Sequence, residues 1–163
     1  YIKSVEDALL RAESMAEILD IHDELVSTGY IRKQKNKTVK HKSLPPRKYE
    51  SSDGFLILVG RNNAQNDTLT LRTAQKDDIW LHTKNIHGSH VIIVSDGQEI
   101  PDRTILEAAS LAAFHSQAKD SSQVPVDYTA VKHVKKPAGA RPGMVIYKTN
   151  NTVFVTPKEL NEK

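Results

Sequence analysis

Five consecutive apolar residues, Phe55-Leu56-Ile57-Leu58-Val59, end at Gly60 and are followed by Arg61-Asn62-Asn63. No other stretch constrains the fold as much. The apolar run has strand length, and a strand stopped by Gly and restarted by Asn-Asn predicts a strand-to-helix turn with Asn62 or Asn63 as the helix cap. Free N–H groups in that first helical turn, with Arg61 beside them, would suit a phosphate or a carboxylate. A capped surface helix is the plainer alternative.

The positions that follow crowd polar, aromatic and imidazole side chains together: Asn66-Asp67, then Asp78-Ile79-Trp80-Leu81-His82, then Gly88-Ser89-His90. Asp77–Thr83 alternates with period two, which sends Ile79 and Leu81 to one face and Asp78, Trp80 and His82 to the other. A tryptophan between an acid and a histidine offers a stacking plate with hydrogen-bonding groups on either side. The same pattern also describes a half-buried Trp and a satisfied core His.

Charge is distributed in blocks. The net charge is +3, yet residues 1–28 hold seven acids against two bases, and residues 31–48 hold eight Lys/Arg, no acid and His41. Residues 49–163 carry thirteen of each sign. The basic run, with Pro45-Pro46 near its end, predicts a connector over residues 30–48. It reads either as a solvated charge run or as a phosphate-backbone contact through Lys33, Lys35, Lys37, Lys40, Lys42, Arg47 and Lys48. A basic Gly/Pro loop at 134–143 adds Lys135, Lys136 and Arg141 as further phosphate contacts.

Residues 4–28 predict one long helix, capped by Ser4 and stopped by Gly29. Ile2, Val5, Leu9, Ala12, Ala16 and Leu19 follow a three-four spacing, with acids on the remaining faces. The segment reads as one leg of a coiled coil, able to self-associate through residues 1–28, or as an amphipathic helix packed on the domain. Downstream, His90–Val94 predicts a buried strand, Pro101 to about Lys119 a helix of small residues, and Pro125–Lys132 another strand. Met144–Tyr147 and Thr152–Val155 predict a hairpin across Thr149-Asn150-Asn151. The fold class expected is α/β (α+β): a single mixed sheet of about five or six strands with packed helices. The divisions expected are a helical leg at 1–29, the linker at 30–48 and a globular domain at 49–163.

With no cysteine, a disulfide framework and thiolate chemistry are excluded. No apolar run approaches the roughly 18 residues of a membrane span, and no signal peptide is visible. A start at Tyr1 suggests a piece of a longer protein. His82, His87 and His90 lack the spacing of a zinc motif, and Ser89-His90 lacks the G-x-S-x-G elbow and would point to opposite strand faces. No catalytic residue, metal or cofactor is therefore expected.

Gly60-Arg61-Asn62-Asn63-Ala64-Gln65-Asn66-Asp67, Asp78-Ile79-Trp80-Leu81-His82 and Gly88-Ser89-His90-Val91 together resemble the NFACT-R domain. So do Ala108-Ala109-Ser110-Leu111-Ala112-Ala113, Val126-Asp127-Tyr128-Thr129 and Lys136-Pro137-Ala138-Gly139-Ala140-Arg141-Pro142-Gly143. This is the C-terminal domain of the fibronectin-binding protein A family, which includes bacterial RqcH and eukaryotic NEMF, and the resemblance covers about residues 45–157. It implies a non-enzymatic, cytoplasmic module contacting rRNA, tRNA or the large ribosomal subunit in ribosome-associated quality control, with residues 1–28 returning from the family's middle coiled coil. It implies as an alternative a cell-surface adhesin that binds host fibronectin without signal peptide or anchor. Carried over by motif, the RNA- or ligand-binding candidates are Arg61, Asn62, Asn63, Asn66, Asp67, Asp78, Trp80, His82, Gly88, Ser89 and His90.

Overall fold

The computed structural model describes residues 1–35 and 40–163. Lys37, a candidate phosphate contact, lies outside the described residues. The N-terminal segment is two helices, α1 (Ile2–Arg11) and α2 (Met15–Ser27), not the single helix expected. Ser14-x-x-Glu17 forms a reciprocal capping box: the Glu17 N–H donates to Ser14 Oγ at 3.3 Å, and Glu17 Oε2 accepts from the Ser14 N–H at 3.2 Å. A capping box starts a helix, so the backbone at Ala12 turns extended and the apolar spacing that crosses the break forms no continuous seam. Ser4 does not cap α1; its hydroxyl donates to the Tyr1 carbonyl from within the first turn. Val5, Ala8 and Ile21 instead form a small cluster with Tyr1 and Leu25. The stop at Gly29 is as expected, with φ at +82°.

Six strands form one sheet: β1 (Arg47–Glu50), which begins within the stretch expected to be a connector, β2 (Leu56–Val59), β3 (Ile79–Thr83), β4 (Val91–Ile93), β5 (Val124–Ala130) and β8 (Asn151–Val155). Their order across it is β1-β2-β4-β3-β5-β8, and the strand pairings described in it are antiparallel. The period-two alternation of each strand divides the core into two layers. On one face Ile57, Val59, Leu81, Val91, Ile93 and Val126 pack beneath α4 (Asp102–Phe114), whose Ala108, Ala109 and Ala112 allow close approach. On the other face Leu58, Trp80 and Ile92 pack against Leu69 and Val134.

Leu69 belongs to the wide π-helical turn Leu69–Thr73 that continues the short helix α3 (Asn63–Thr68). Val134 belongs to β6 (Val134–Lys135), which pairs with β7 (Ile146–Tyr147) in a separate two-stranded sheet. The hairpin expected between Met144–Tyr147 and Thr152–Val155 does not form. β7 folds back onto β6 over the Trp80 face, whereas β8 pairs with β5, so the chain changes sheets across Lys148–Asn150. The C-terminal tail returns to the opposite edge, where Glu162 bridges to Tyr49.

Candidate nucleic-acid interface

Of the two caps the sequence offers, Asn62 and Asn63, the structure uses Asn62: its backbone is extended and its Oδ1 accepts from the Gln65 N–H at 2.8 Å. Gly60, one residue past β2, passes so close to α3 that a Cβ there would lie 1.9 Å from Asn66 Oδ1. That same oxygen accepts from the His90 N–H at 3.2 Å, which locks α3 to β4. His90 then reaches the basic loop. Its Nε2 is 3.1 Å from the Gly143 carbonyl and its Nδ1 is 2.8 Å from Thr70 Oγ1. Burial, helped by the neighbouring His82 ring and Lys136, pushes the His90 imidazole down to about 3, so it is neutral. A neutral ring here donates from Nε2 to Gly143 and accepts at Nδ1 from Thr70.

Asp67 clamps both ends of that loop. Its Oδ1 accepts from the Gly143 N–H at 2.9 Å, and its Oδ2 accepts from Lys136 Nζ at 2.9 Å. Lys136 Nζ also donates to the Arg141 carbonyl, and the Arg141 guanidinium sits 5.0 Å from the Tyr30 ring centroid. Asn63 donates to Ser4 Oγ at 3.0 Å and abuts Gly143, whose φ of +80° favours glycine. The motif residues Asn62, Asn63, Asn66, Asp67 and His90 are thus brought together, but as an internal frame for loop 136–143. Asn62, Asn66, Ser89 and His90 are buried and face protein.

Trp80 does not offer an open stacking plate. It is 1% exposed, covered by Tyr147 at 4.8 Å between ring centroids and flanked by His82 and His90. The cover comes from β7, distant in sequence. His82 lies parallel to Trp80, and burial lowers its pKa. Asp78 braces the start of β3: it accepts from the Gln75 N–H and from both the N–H and hydroxyl of Ser95. Gly88 passes so near Ser116 that a Cβ would sit 2.9 Å from its Cβ, and the Ser89 N–H donates to the His115 carbonyl.

The expected cations fall into two sets. Arg47 and Arg61 face inward onto α2: Arg61 Nη1 lies 2.8 Å and Arg47 Nη2 3.2 Å from Glu17 Oε1. Burial alone would raise the Glu17 carboxyl, but the Glu13 N–H, Arg61 and Arg47 outweigh it and hold the group below the usual carboxylate range. The N–H of Ala64, in the first turn of α3, donates to Glu24 Oε2 at 3.0 Å. A carboxylate is therefore the anion at the turn where the sequence anticipated one. Lys33, Lys35, Lys40, Lys42, Lys48, Lys135 and Arg141 are exposed.

Lys135 opens a groove that the sequence pattern marks only in part. Lys132, His133, Lys135 and Lys148, with Tyr147, Ile146 and Thr149, line about 310 Å³ beside the β6–β7 pair, and among the described residues no carboxylate lines it. Lys132 is 4.0 Å from the exposed Asp77, a loose pair. The Tyr147 hydroxyl donates to Asp127 Oδ2 at 2.6 Å, which fixes the ring. Burial, then that bond and the Asp127 charge, raise the Tyr147 pKa. His133 and Lys148 belong to this set only because β6 and β7 pair. Among the described residues, no cluster of three or more His, Asp or Glu is arranged to hold a metal, and no helix is long and apolar enough to cross a membrane.

Comparison with known proteins adds relatives to this geometry. The family model described as the NFACT protein RNA binding domain matches residues 46–149. The Rqc2 homolog RqcH of Bacillus subtilis is 54% identical over 151 residues, covering 91% of this chain and 26% of the relative. The Rqc2 homolog RqcH of Streptococcus suis is 43% identical over 160 residues, covering 98% of this chain and 28% of the relative. The Drosophila melanogaster homolog of ribosome quality control complex subunit NEMF is 36% identical over 80 residues, 48% of this chain and 8% of that protein. A solved structure of the C-terminal part of the fibronectin/fibrinogen-binding protein of Streptococcus suis superposes with a TM-score of 0.90 at 43% identity, covering 98% of this chain and 63% of that one. The chain thus spans about a quarter of the length of the RqcH proteins it matches.

Proposed function

The chain belongs to the family of the NFACT protein RNA binding domain, and from that premise we propose that it is a non-enzymatic RNA-contacting module of a ribosome quality control factor. The observation that carries this reading is the groove of Lys132, His133, Lys135 and Lys148 around the fixed Tyr147 ring, with no carboxylate among the described residues that line it. Exposed ammonium groups neutralise backbone phosphates and displace counterions, and an aromatic edge beside them suits an unpaired base. The buried frame of Asn66, Asp67 and His90 supports this function indirectly by holding loop 136–143, with Arg141 and Lys136, beside the groove. The ribosome quality control name of the NEMF relative points to the ribosome as the source of that RNA. On this reading the contact is rRNA or tRNA on the large subunit, in the cytoplasm. The exposed lysines of the 30–48 segment would extend the same electrostatic contact.

Binding of the purified chain to large ribosomal subunits and to single-stranded RNA, measured across a salt series, tests the reading. The double variant Lys135→Glu/Lys148→Glu is expected to weaken binding and to flatten the salt dependence, by about 0.7 in log–log slope for each phosphate no longer neutralised. Unchanged affinity and slope in the folded double variant would reject the groove as the RNA site. The fibronectin-binding name of the Streptococcus suis structure favours a second reading, an adhesive surface. Saturable, salt-resistant binding to immobilised fibronectin, with none to subunits, would assign the chain to it.

A further inference from the structure

Helix α2 turns three of its four acids toward its neighbours. Glu17, Asp20 and Glu24 recur at three- and four-residue intervals and so share one stripe of the helix, continued by Glu13 just before its start. Each is held by residues outside α2. Glu13 Oε2 is 3.0 Å from Arg47 Nη2, Glu17 Oε1 is 2.8 Å from Arg61 Nη1, and Glu24 Oε2 accepts from the Ala64 N–H at 3.0 Å. Asp20 Oδ1 lies 2.7 Å from both His41 Nε2 and Ser43 Oγ. Glu17 and Glu24 are each 4% exposed, so these are buried carboxylates.

The apolar side of the arm is turned elsewhere. Val5, Ala8 and Ile21 bury against Tyr1 and Leu25 in a cluster distinct from the two layers of the sheet. The arm therefore carries a small core of its own and is attached to the domain chiefly through charge and hydrogen bonds, including Arg11 to the His115 carbonyl and Asn63 to Ser4. Arg47 and Arg61, beneath Glu17, have side chains only 11% exposed. Two guanidinium groups this close need anions beside them. Of the carboxylates that reach both, Glu17 is the closer, while Glu162 of the C-terminal tail stands farther off, 3.6 Å from Arg47 and 3.7 Å from Arg61. The planar fork of arginine accepts carboxylate and phosphate oxygens equally well. Along α2 the stripe places a carboxylate about every 5–6 Å, a linear array of negative charge like that of a nucleic-acid strand.

We propose that α2 is an intramolecular strap whose acid stripe occupies a second RNA-backbone site formed by Arg47 and Arg61, and that RNA reaches this site only when the strap lifts. The site opens into a cavity of about 330 Å³ at the α1–α2 junction, lined by Arg11, Arg47, Arg61 and Lys119 and, from the strap side, by Glu13 and Glu17, so a phosphate enters it as those carboxylates leave. Lifting the strap adds cations to those of the groove at β6–β7, so RNA binding and arm release are linked. The inference rests on the RNA-binding reading above.

The test uses the full chain with Glu17→Gln, and Asp20→Asn as a milder second variant in case the first does not fold. Amide hydrogen exchange over residues 15–27 reports strap release, and affinity for a single-stranded RNA homopolymer at two salt concentrations reports its effect. Expected are faster exchange in α2, RNA binding strengthened severalfold and a steeper salt dependence, by about 0.7 in log–log slope for each additional phosphate neutralised. Faster exchange with unchanged or weaker RNA binding overturns the strap. If the wild-type chain then still loses RNA binding through Lys135→Glu/Lys148→Glu, the groove reading stands alone. If neither the wild type nor Glu17→Gln binds RNA, both fall.

Discussion

Gly60 and His90 show how single residues decide the shape of the interface. At Gly60 the space for a side chain is already taken by Asn66, both its Oδ1 and its backbone Cα. Gly60→Ala is therefore expected to cost about 1–3 kcal/mol by overpacking, read as a lowered denaturant midpoint at unchanged slope. His90 and His115 carry a pH dependence of defined sign. Burial holds each imidazole down at about 3; His82 and Lys136 add to the effect on His90, and Arg47, Arg11, Lys119 and Arg61 on His115. Between that value and the ordinary 6.5 the unfolded chain binds protons that the folded chain refuses, so stability falls as pH drops from about 6.5 towards 3. Each group fully linked in this way contributes about 1.4 kcal/mol per pH unit. Unfolding midpoints measured from pH 7 to pH 4 should show the decline, and His90→Gln should remove its share and leave that of His115. The role of Asn62 was legible in the sequence because a cap is a local device. Those of Asn66 and His90 were not, since their partners lie on other elements.

Among the elements, the N-terminal arm shows two sequence signals in competition. The apolar spacing from Ile2 to Leu19 runs straight through Ser14-x-x-Glu17, a helix-start signature, and the start signature prevails. Ser14→Ala should cost about 1 kcal/mol and speed amide exchange in the first turn of α2, with the sheet unaffected. The acids of α2 lie off the apolar spacing and so read as a solvated face, yet their own three-four spacing marks them as the stripe that meets the domain. The β6–β7 pair was equally out of reach. Two-residue strands carry almost no periodicity, and Ile146-Tyr147 finds its partner upstream at Val134-Lys135, not in the adjacent Thr152–Val155 run. Five strands of the sheet and the body of the helix Asp102–Phe114 were legible because their alternation or composition repeats over enough residues to be read; β1 was not, since its Arg47-Lys48 start reads as the end of the basic run. The helix ends near Phe114 because the chain then turns to bridge Ser116 to Gly88.

As a whole, the molecule is a sheet covered differently on its two faces. One cover is a regular helix over small residues, and the other is assembled from a π-helical turn and a short strand pair. The second cover holds Trp80, the chain's single tryptophan, whose indole nitrogen has no hydrogen-bond partner among the described residues. Trp80→Ala is expected to destabilise the fold by about 3–5 kcal/mol, measured by equilibrium unfolding. Trp80→Phe should cost much less, because no hydrogen bond is lost with the nitrogen. Loss of RNA binding in Trp80→Ala would thus report collapse of the layer beneath the groove. The same arrangement makes the molecule an optical instrument. A lone indole buried beneath Tyr147 emits from one known place, so a red shift on adding RNA would show the β6–β7 cover lifting. An unmoved spectrum at saturation would show a ligand seated on a closed lid, with no label attached to the protein.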